Sequence, residues 1–576
     1  MKKLLVYLKS YKKQCILGPF FKLTEAIFEL IVPLIMASII DVGIKNNDKD
    51  YVIKMGVILV LLGILGLTVS FTAQHFASQA SQGYGTKLRN ALFSHIQSLS
   101  SSEIDNIGAP TLITRMTNDI NQLQIFVAMT IRLFLRAPFL VIGATIMAFT
   151  IDVKLALMFL LVTPIIAFII FIVMSKSVPF FSKMQKHLDK ISLKTRENLS
   201  GVRVIRAFSK QDEELLEFKE ANNDYKSTAI KVGRISSLLN PLTSVVLNIA
   251  IIFIIWFGGI KVDSGNLSQG EIIAFVNYIT QILLALIVVA NLVVIYLKSF
   301  ASAKRINEVL EISSNIITGE KHLNKACETV IQFKNVCYSY PSSNEYAIEK
   351  INLSIKKGET IGIIGSTGSG KSTLINLIMR YYDSSEGEIL IYGENIKELN
   401  LSALRKSIGF VPQKAVLFSG TIRSNMLMAD KNADDKKINK ALEIAQAKEF
   451  VDLLDEKLDS RVEQKGKNFS GGQKQRLTIA RALVSSPDIL ILDDSSSALD
   501  YATDSKLRKS ISNIDKKMTV IIISQRANSI KNADKIIVME NGKIDAIGSH
   551  NDLLNTSQVY KEIYNSQISK NDEVKH

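Results

Sequence analysis

The sequence is poor in the residues that build disulfide frameworks and metal centres. Its 576 residues include 3 cysteines and 1 tryptophan. Cys15, Cys327 and Cys337 have neither an even count nor the spacing of a zinc site, so we expect three reduced thiols. The first residues also lack the long apolar core and the small-residue cleavage site of a signal peptide. Their basic pattern predicts an interfacial helix instead.

Acidic residues are fewer than basic ones, with 54 Asp and Glu against 69 Lys and Arg and a net charge of +15. Much of this basic surplus flanks apolar runs, where the positive-inside rule accounts for it, so we predict no nucleic-acid partner. Mean hydropathy is +0.20, and nearly all long uncharged runs lie before residue 300. The chain is too long for one core, and the pattern predicts a membrane half followed by a soluble half.

Six stretches before residue 300 are long enough to cross a bilayer, which requires about 20 apolar residues per helix. Four of them contain no Asp, Glu, Lys or Arg, namely residues 55–86, 155–175, 235–260 and 272–297. Two others, residues 20–42 and 125–151, are interrupted by charged side chains. The sequence therefore predicts six membrane spans that contact lipid.

The connections between the predicted spans alternate between short and long. The long ones, after spans two and four, are rich in Lys and Arg, which predicts that they and both chain termini are cytoplasmic in a multi-pass protein of the cell membrane. Helical apolar spacing continues through residues 84–100 and 183–208, so we expect the helices to extend beyond the membrane. Residues 109–118 and 208–213 are candidate tips that contact the soluble half, the alternative being ordinary solvated loops.

Charged residues inside a predicted span are energetically costly and need an explanation. Glu25 and Glu29 share one helical face, as do Arg132 and Arg136, because each pair is four residues apart. In one interpretation the carboxylates and guanidiniums neutralise one another, or the arginines lie at the inner headgroups. In the other, Glu25 or Glu29 faces a cavity and attracts cationic substrates.

Residues 365–373 match the phosphate-binding pattern G-x-x-x-x-G-K-[ST]. A predicted buried strand precedes the loop and a predicted helix follows it, which is the context that this motif requires. The pattern predicts that backbone N–H groups and Lys371 bind polyphosphate and that the Ser372 hydroxyl ligates Mg²⁺. The loop consists of Gly365, Ser366, Thr367, Gly368, Ser369, Gly370, Lys371, Ser372 and Thr373.

Other motifs of a nucleotide site follow along the chain. Residues 489–494 predict an apolar strand that ends in two acids, so Asp493 can hold the Mg²⁺ bound by Ser372. Ser-Gly-Gly-Gln, at residues 470–473, leads into a predicted helix whose start can bind phosphate. Gln413 follows a predicted strand at 408–411, and the Tyr340 ring can stack on a base.

This set of motifs resembles ATP-binding cassette (ABC) exporters of the multidrug half-transporter type, over nearly the whole chain. The resemblance implies a six-span α-helical transmembrane domain followed by an α/β P-loop nucleotide-binding domain. We place the transmembrane domain at residues 1–312, a linker at 313–328 and the nucleotide-binding domain at 329–576. ATP and Mg²⁺ are the cofactors that the resemblance implies.

The resemblance also implies roles for individual residues. Tyr340 would stack on adenine, residues 365–373 would hold the phosphates, and Gln413 would contact Mg²⁺ and the γ-phosphate. The signature would face ATP held by a second subunit, and Asp500 would link the two ATP sites. The signature residues are Ser470, Gly471, Gly472 and Gln473. The structural alternatives are an edge-strand aromatic for Tyr340, a solvated loop residue for Gln413 and a helix cap for the signature.

Two positions depart from the family pattern. Asp494 stands where the family usually has the Glu that polarises the attacking water, and a carboxylate withdrawn by roughly 1 Å can cost about 100-fold in rate. Gln525 stands where the family has its switch histidine, and a neutral amide donates a hydrogen bond but cannot become cationic. We therefore expect ATP binding to survive better than hydrolysis at this site.

These departures predict that the chain works with a second, non-identical half-transporter that carries the intact catalytic residues. A slow homodimer is the alternative. The predicted function is ATP-driven export of amphipathic, drug-like compounds, with hydrophobic small molecules as cargo. Two other functions stay open, namely a lipid or peptide exporter of the same fold and an ATP-switched membrane sensor without net transport.

Overall fold

The computed structural model describes residues 1–572, with eight positions excepted, and divides them into two compact units. Unit 1 comprises Met1–Ser98 and Ile107–Ile312, and unit 2 comprises Leu99–Asn106 and Ser313–His576. The excepted positions are Lys2, Pro341, Ser342, Asn344, Ser496 and residues 515–517.

Unit 1 is helical. Among the described residues, six helical segments are long and apolar enough to cross a membrane, which confirms the predicted number of spans. They are α1 (Leu4–Ile44), α2 (Lys49–Ser98), α4 (Ala109–Ile151), α5 (Val153–Ser200), α7 (Gln211–Asp263) and α8 (Gln269–Leu310). The short helices α3 (Ser101–Ile107) and α6 (Val202–Ala207) lie between them in the chain. Helices α2 and α5 extend well past their apolar stretches, as the helical spacing predicted.

Capping interactions fix two of the short connections between spans. Asp41, at the end of α1, accepts hydrogen bonds from the Ser268 hydroxyl (2.5 Å) and from the Gly270 backbone N–H (2.9 Å), at the start of α8. Asp152 caps α5 by accepting from the Leu155 N–H at 2.8 Å, and it also pairs with Lys261 at the end of α7. Each of these half-buried carboxylates thus satisfies a backbone donor at a helix start that would otherwise lack a partner.

The first predicted tip, at residues 109–118, is helical rather than a break in the helical pattern. These residues form the start of α4 and belong to unit 1, whereas the preceding short helix α3 groups with the nucleotide-binding unit. Gly108 separates the two helices with φ of +81°, a conformation that glycine adopts without strain. The second predicted tip is a break between helices, because Ser209 has φ of +52° between α6 and α7.

Unit 2 contains an α/β nucleotide-binding fold. Its described strands are β1 (Thr329–Tyr338), β2 (Ile348–Lys356), β3 (Thr360–Gly365), β4 (Glu386–Ile391), β5 (Glu394–Asn395), β6 (Ile408–Val411), β7 (Gly420–Thr421), β8 (Arg461–Val462), β9 (Ile489–Asp493), β10 (Thr519–Ile523), β11 (Lys535–Glu540) and β12 (Lys543–Gly548). The helices are α9 (Lys371–Ile378), α10 (Leu401–Ser407), α11 (Ile422–Leu427), α12 (Asp435–Ile444), α13 (Lys448–Asp452), α14 (Gly471–Val484), α15 (Tyr501–Ser512), α16 (Ala527–Ile530), α17 (His550–Thr556) and α18 (Gln558–Asp572).

One sheet of unit 2 organises the nucleotide site. In the described part of the chain its strand order is β12-β11-β3-β10-β9-β6, and β11, β3, β10, β9 and β6 are mutually parallel. Ile, Leu and Val fill the central strands β3, β9 and β10, which are buried on both faces, as parallel sheets require. The loops that follow these strands therefore emerge at one edge of the sheet.

A buried polar network lies at the start of α4 in unit 1. Asp119 is 3% exposed and accepts hydrogen bonds from the Arg305 Nε (2.9 Å) and the Ser302 hydroxyl (2.9 Å) of α8. Arg115, one turn earlier on α4, donates to the same carboxylate at 3.2 Å. One carboxylate thus pairs with two guanidiniums and links α4 to α8.

Asp119→Asn should lower the free energy of unfolding by about 2–3 kcal/mol, because it leaves Arg305 and Arg115 without a negative partner. Thermal unfolding in detergent measures the effect as a lower transition midpoint. Glu213→Gln is the matched control, since its pair with Lys210 is exposed on both sides and should leave the midpoint unchanged. Equal midpoints for the two variants would contradict the assigned role of Asp119.

Candidate functional site

The phosphate-binding loop joins β3 to α9 at the parallel edge of the sheet. The Lys371 amino group donates to the carbonyl oxygens of Gly365 (2.9 Å) and Ser366 (2.6 Å) and to the Ser369 hydroxyl (3.2 Å). Burial lowers the pKa of Lys371, against the opposing effect of Asp493 and Asp494. The lysine is thus held over the loop by acceptors that polyphosphate oxygens can replace.

Two glycines of the loop are required by its geometry. A Cβ on Gly365 would clash with the Met539 carbonyl oxygen and lie 2.6 Å from the Ser369 hydroxyl. Gly370 has φ of +97°, and a Cβ there would approach the Ile348 side chain to 2.7 Å. Both positions therefore exclude other residues, and the backbone N–H groups of the loop stay accessible to an anion.

Two acids and an amide lie at the ends of neighbouring strands. Asp493 ends β9, and burial together with the adjacent Asp494 raises its pKa. The Gln413 amide lies 3.5 Å from the Asp494 carboxylate. A hydroxyl (Ser372), an amide (Gln413) and one carboxylate (Asp493) suit Mg²⁺, which uses few protein ligands and takes the rest from phosphates and water. When bound, Mg²⁺ would neutralise charge on the phosphates.

Asp494 has an unusual backbone conformation. Its φ is +45°, in the left-handed region, and its N–H donates to the Ile523 carbonyl at 3.0 Å. This bond ties the end of β9 to the end of β10, directly before the segment that carries Gln525. The two departures from the family pattern are thus brought together by adjacent parallel strands.

The predicted adenine-stacking residue belongs to an aromatic cluster. The Tyr340 ring lies edge-on to Tyr338 and Tyr382, with centroids 5.0 and 5.5 Å away, and its hydroxyl is 3.2 Å from the Thr373 hydroxyl. Tyr382 in turn donates to the Asp105 carboxylate of α3 at 2.7 Å, and burial and Asp105 together raise the pKa of Tyr382. Sequence analysis missed Tyr382 and Asp105, because only the fold brings α3 to this cluster.

The signature begins α14 rather than preceding it. Ser470 caps this helix by accepting from the Gln473 N–H at 3.3 Å, while the Gln473 side chain accepts from the Ser470 N–H at 2.9 Å. The helix therefore starts at Gly471, within the signature, whereas the sequence predicted a start after it. Ser470 and Gly471 are exposed, and no atom lies within 4 Å of a Cβ built on Gly471. A capped, accessible helix start is suited to binding phosphate.

Asp500 is exposed at the start of α15, where its carboxylate accepts from the Thr503 N–H at 2.9 Å. This hydrogen bond lowers the pKa of Asp500, so the side chain is ionised at neutral pH. Gln525 is likewise exposed, in the segment after β10. Both residues are accessible to groups outside their own subunit.

Three of the four charged span residues, Glu25, Glu29 and Arg136, form ion pairs, whereas the Arg132 Nε is buried without a hydrogen-bond partner in the described part of the chain. Both carboxylate oxygens of Glu29 lie 2.8 Å from an Arg136 guanidinium nitrogen, so these two side chains form an ion pair between α1 and α4. Glu25 instead accepts from Lys22 at 2.5 Å, within α1. The Lys22 partner was missed, because three-residue spacing on one helix is common and carries no signal of its own.

Comparisons with known proteins agree with this geometry. The family description "ABC transporter transmembrane region" matches residues 15–287, and "ABC transporter" matches residues 348–497. An uncharacterized ABC transporter ATP-binding protein of Mycobacterium tuberculosis is 35% identical over 568 residues, covering 97% of each chain. The uncharacterized ABC transporter ATP-binding protein YfiB of Bacillus subtilis is 35% identical over 570 residues, covering 99% of each.

The chain belongs to the ABC transporter family, and its single transmembrane region followed by a single ATP-binding region makes it an exporter half-transporter. A solved bacterial Atm1-family ABC exporter with ATP bound shares the fold, with a TM-score of 0.79. That likeness covers 96% of this chain and 98% of the other at 20% identity, so it describes architecture alone.

Gly365→Ala should weaken ATP binding on the order of tenfold or more, because the added methyl group clashes with backbone and displaces the loop. Competition with a fluorescent ATP analogue measures the dissociation constant. Gly233→Ala is the matched control, since a Cβ at that position meets no atom within 4 Å. Native affinity in Gly365→Ala would contradict the assigned loop geometry.

Proposed function

We propose that the chain is one half of a heterodimeric exporter that moves amphipathic, drug-like compounds across the cell membrane. In this proposal the nucleotide-binding unit and both termini are cytoplasmic, where ATP is available. The chain binds ATP at its own site but hydrolyses it slowly. A non-identical half-transporter supplies a competent site that is completed by this chain's signature.

One observation carries the proposal. The loop built on Lys371 has the geometry of an ATP site, yet Asp494 and Gln525 occupy the two adjacent strand ends from which the attacking water would be activated. An Asp carboxylate withdrawn by roughly 1 Å misplaces that water, which can cost about 100-fold in rate. Neither Asp494 nor Gln525 takes the place of a residue of the phosphate-binding loop. The affinity for ATP is therefore retained, while the rate of ATP hydrolysis falls.

The signature supports the second part of the proposal. Ser470 and Gly471 are exposed, and capping by Gln473 orders the start of α14 without using a partner molecule. Such a surface can bind the γ-phosphate of ATP that is held by another subunit. A homodimer would have two intact signatures but two ATP sites with impaired hydrolysis. A heterodimer would have one ATP site, on the partner, that is competent for hydrolysis.

Transport would follow from alternating access. ATP closes two nucleotide-binding domains, and this closure is passed to the spans, which open the cavity outward. The hydrogen bond from Tyr382 to Asp105 supports this route, because α3 is joined directly to α2 and α4 in the chain. Movement of the Tyr340 aromatic cluster on ATP binding would therefore displace α3.

Lipid or peptide export by the same fold, and ATP-switched sensing without net transport, are the alternative functions. Vesicle assays separate them, since a sensor gives ATPase activity without flux. Flux of a lipid analogue or peptide in place of drug-like compounds would assign the alternative cargo.

In the complex with the partner, Ser470→Ala should lower ATP hydrolysis by about 100-fold, because it removes a donor to the phosphate at the competent site. Lys371→Ala should lower it several-fold at most, because it changes the slow site. Steady-state ATPase assays of the purified mixed complexes measure both effects.

The chain purified alone is the control for this asymmetry. It should hydrolyse ATP only slowly. Brisk activity that Asp494→Asn abolishes would show that its own site is competent and would contradict the proposed division of labour.

Glu29 is the carboxylate through which a cationic substrate would be recognised, because its side chain stays 45% exposed while it pairs with Arg136. The double change Glu29→Gln and Arg136→Gln keeps the span neutral and should reduce transport of cationic compounds more than of neutral ones. The control is Glu25→Gln, whose side chain is 17% exposed. Equal losses for both classes of compound in a vesicle assay would exclude a role in cation recognition.

A further inference from the structure

The segment that carries Gln525 is short and joins β10 to α16. It follows β10, where the Ser524 N–H donates to the Ile363 carbonyl at 3.1 Å, and it ends at the first residue of α16, Ala527. The residue before α16, Arg526, provides no side-chain cap for this helix. The N–H of Ala527 therefore depends on a partner from elsewhere in the chain.

That partner is Gln567 on the C-terminal helix α18. Its amide oxygen accepts from the Ala527 N–H at 2.9 Å, and its amide nitrogen donates to the Gln525 carbonyl at 2.7 Å. A single side chain thus hydrogen-bonds the carbonyl of the switch position itself and the N–H of the residue two positions later. The two hydrogen bonds fix the backbone from which the Gln525 side chain projects.

Helix α18 is itself firmly anchored. Tyr560 is fully buried and its hydroxyl lies 2.7 Å from the His550 Nδ1 of α17. Ile563 and Tyr564 continue the same face and pack on a cluster that includes Ile364 of β3 and both ends of α16. Gln567 follows on this face, because positions 560, 563, 564 and 567 have the spacing of one helical side. The helix therefore connects the switch segment to the strand that leads into the phosphate-binding loop.

We propose that Gln567 is a positioning residue for the switch position, through which the C-terminal helix sets the preference of this site for ATP over ADP. The inference rests on the proposed role of Gln525 as a γ-phosphate donor. ATP and ADP share the contacts of Tyr340 and the loop built on Lys371. Only ATP offers a γ-phosphate, so a displaced Gln525 weakens ATP binding and leaves ADP binding unchanged.

The test compares dissociation constants for ADP and for a non-hydrolysable ATP analogue, AMP-PNP, in the full-length chain with Mg²⁺. Gln567→Leu removes both hydrogen bonds and should lower the preference for the analogue on the order of five- to tenfold, with ADP affinity unchanged. Gln567→Glu keeps the acceptor and loses the donor, so its effect should be intermediate. Gln558→Leu is the matched control on the same helix, because Gln558 is exposed and donates to Glu562 of that helix.

The role of Gln567 and the γ-phosphate role of Gln525 on which it rests are tested by different variants. Unchanged preference in both Gln567 variants, or a parallel loss of affinity for both nucleotides, would overturn the inference. Gln525→Ala tests the premise separately, since an unchanged preference in that variant would remove the γ-phosphate role itself. If Gln567→Leu binds neither nucleotide, the Gln567→Glu variant decides.

Discussion

The nucleotide site depends on the parallel arrangement of four neighbouring strands. Because β3, β10, β9 and β6 run in the same direction, their carboxyl ends meet at one edge. Residues that are far apart in the sequence, from Lys371 to Gln525, are thereby brought to one site. Hydrogen bonds between strand ends, such as that from Asp494 to Ile523, then fix the position of the acids relative to the switch segment.

The membrane unit is governed by a different constraint, which is that charge inside a span must be neutralised. Glu29 with Arg136, Glu25 with Lys22 and Asp152 with Lys261 each form a pair. Asp119 is shared between two arginines at the end of the unit. The Glu29–Arg136 pair limits how α1 and α4 can slide past one another, since separation would expose both charges to an apolar environment.

Much of this architecture can be predicted from the sequence, because spans and buried strands leave strong patterns. The six spans, the strands β3, β6 and β9 and the loop at residues 365–373 all follow from apolar runs and glycine spacing. The position of α3 does not, because a seven-residue polar helix has no periodic signal. Contacts made by single side chains, such as Tyr382 with Asp105 and Gln567 with Gln525, depend on tertiary packing and leave no local pattern.

The central claim is that this chain retains ATP while its partner hydrolyses it. The most direct measurement labels the working complex with photoreactive ATP carrying the label on either the α- or the γ-phosphate and then separates the two subunits. The account predicts that this chain keeps equal amounts of both labels, whereas the partner keeps only the α-label. Loss of the γ-label from this chain at the partner's rate would contradict it.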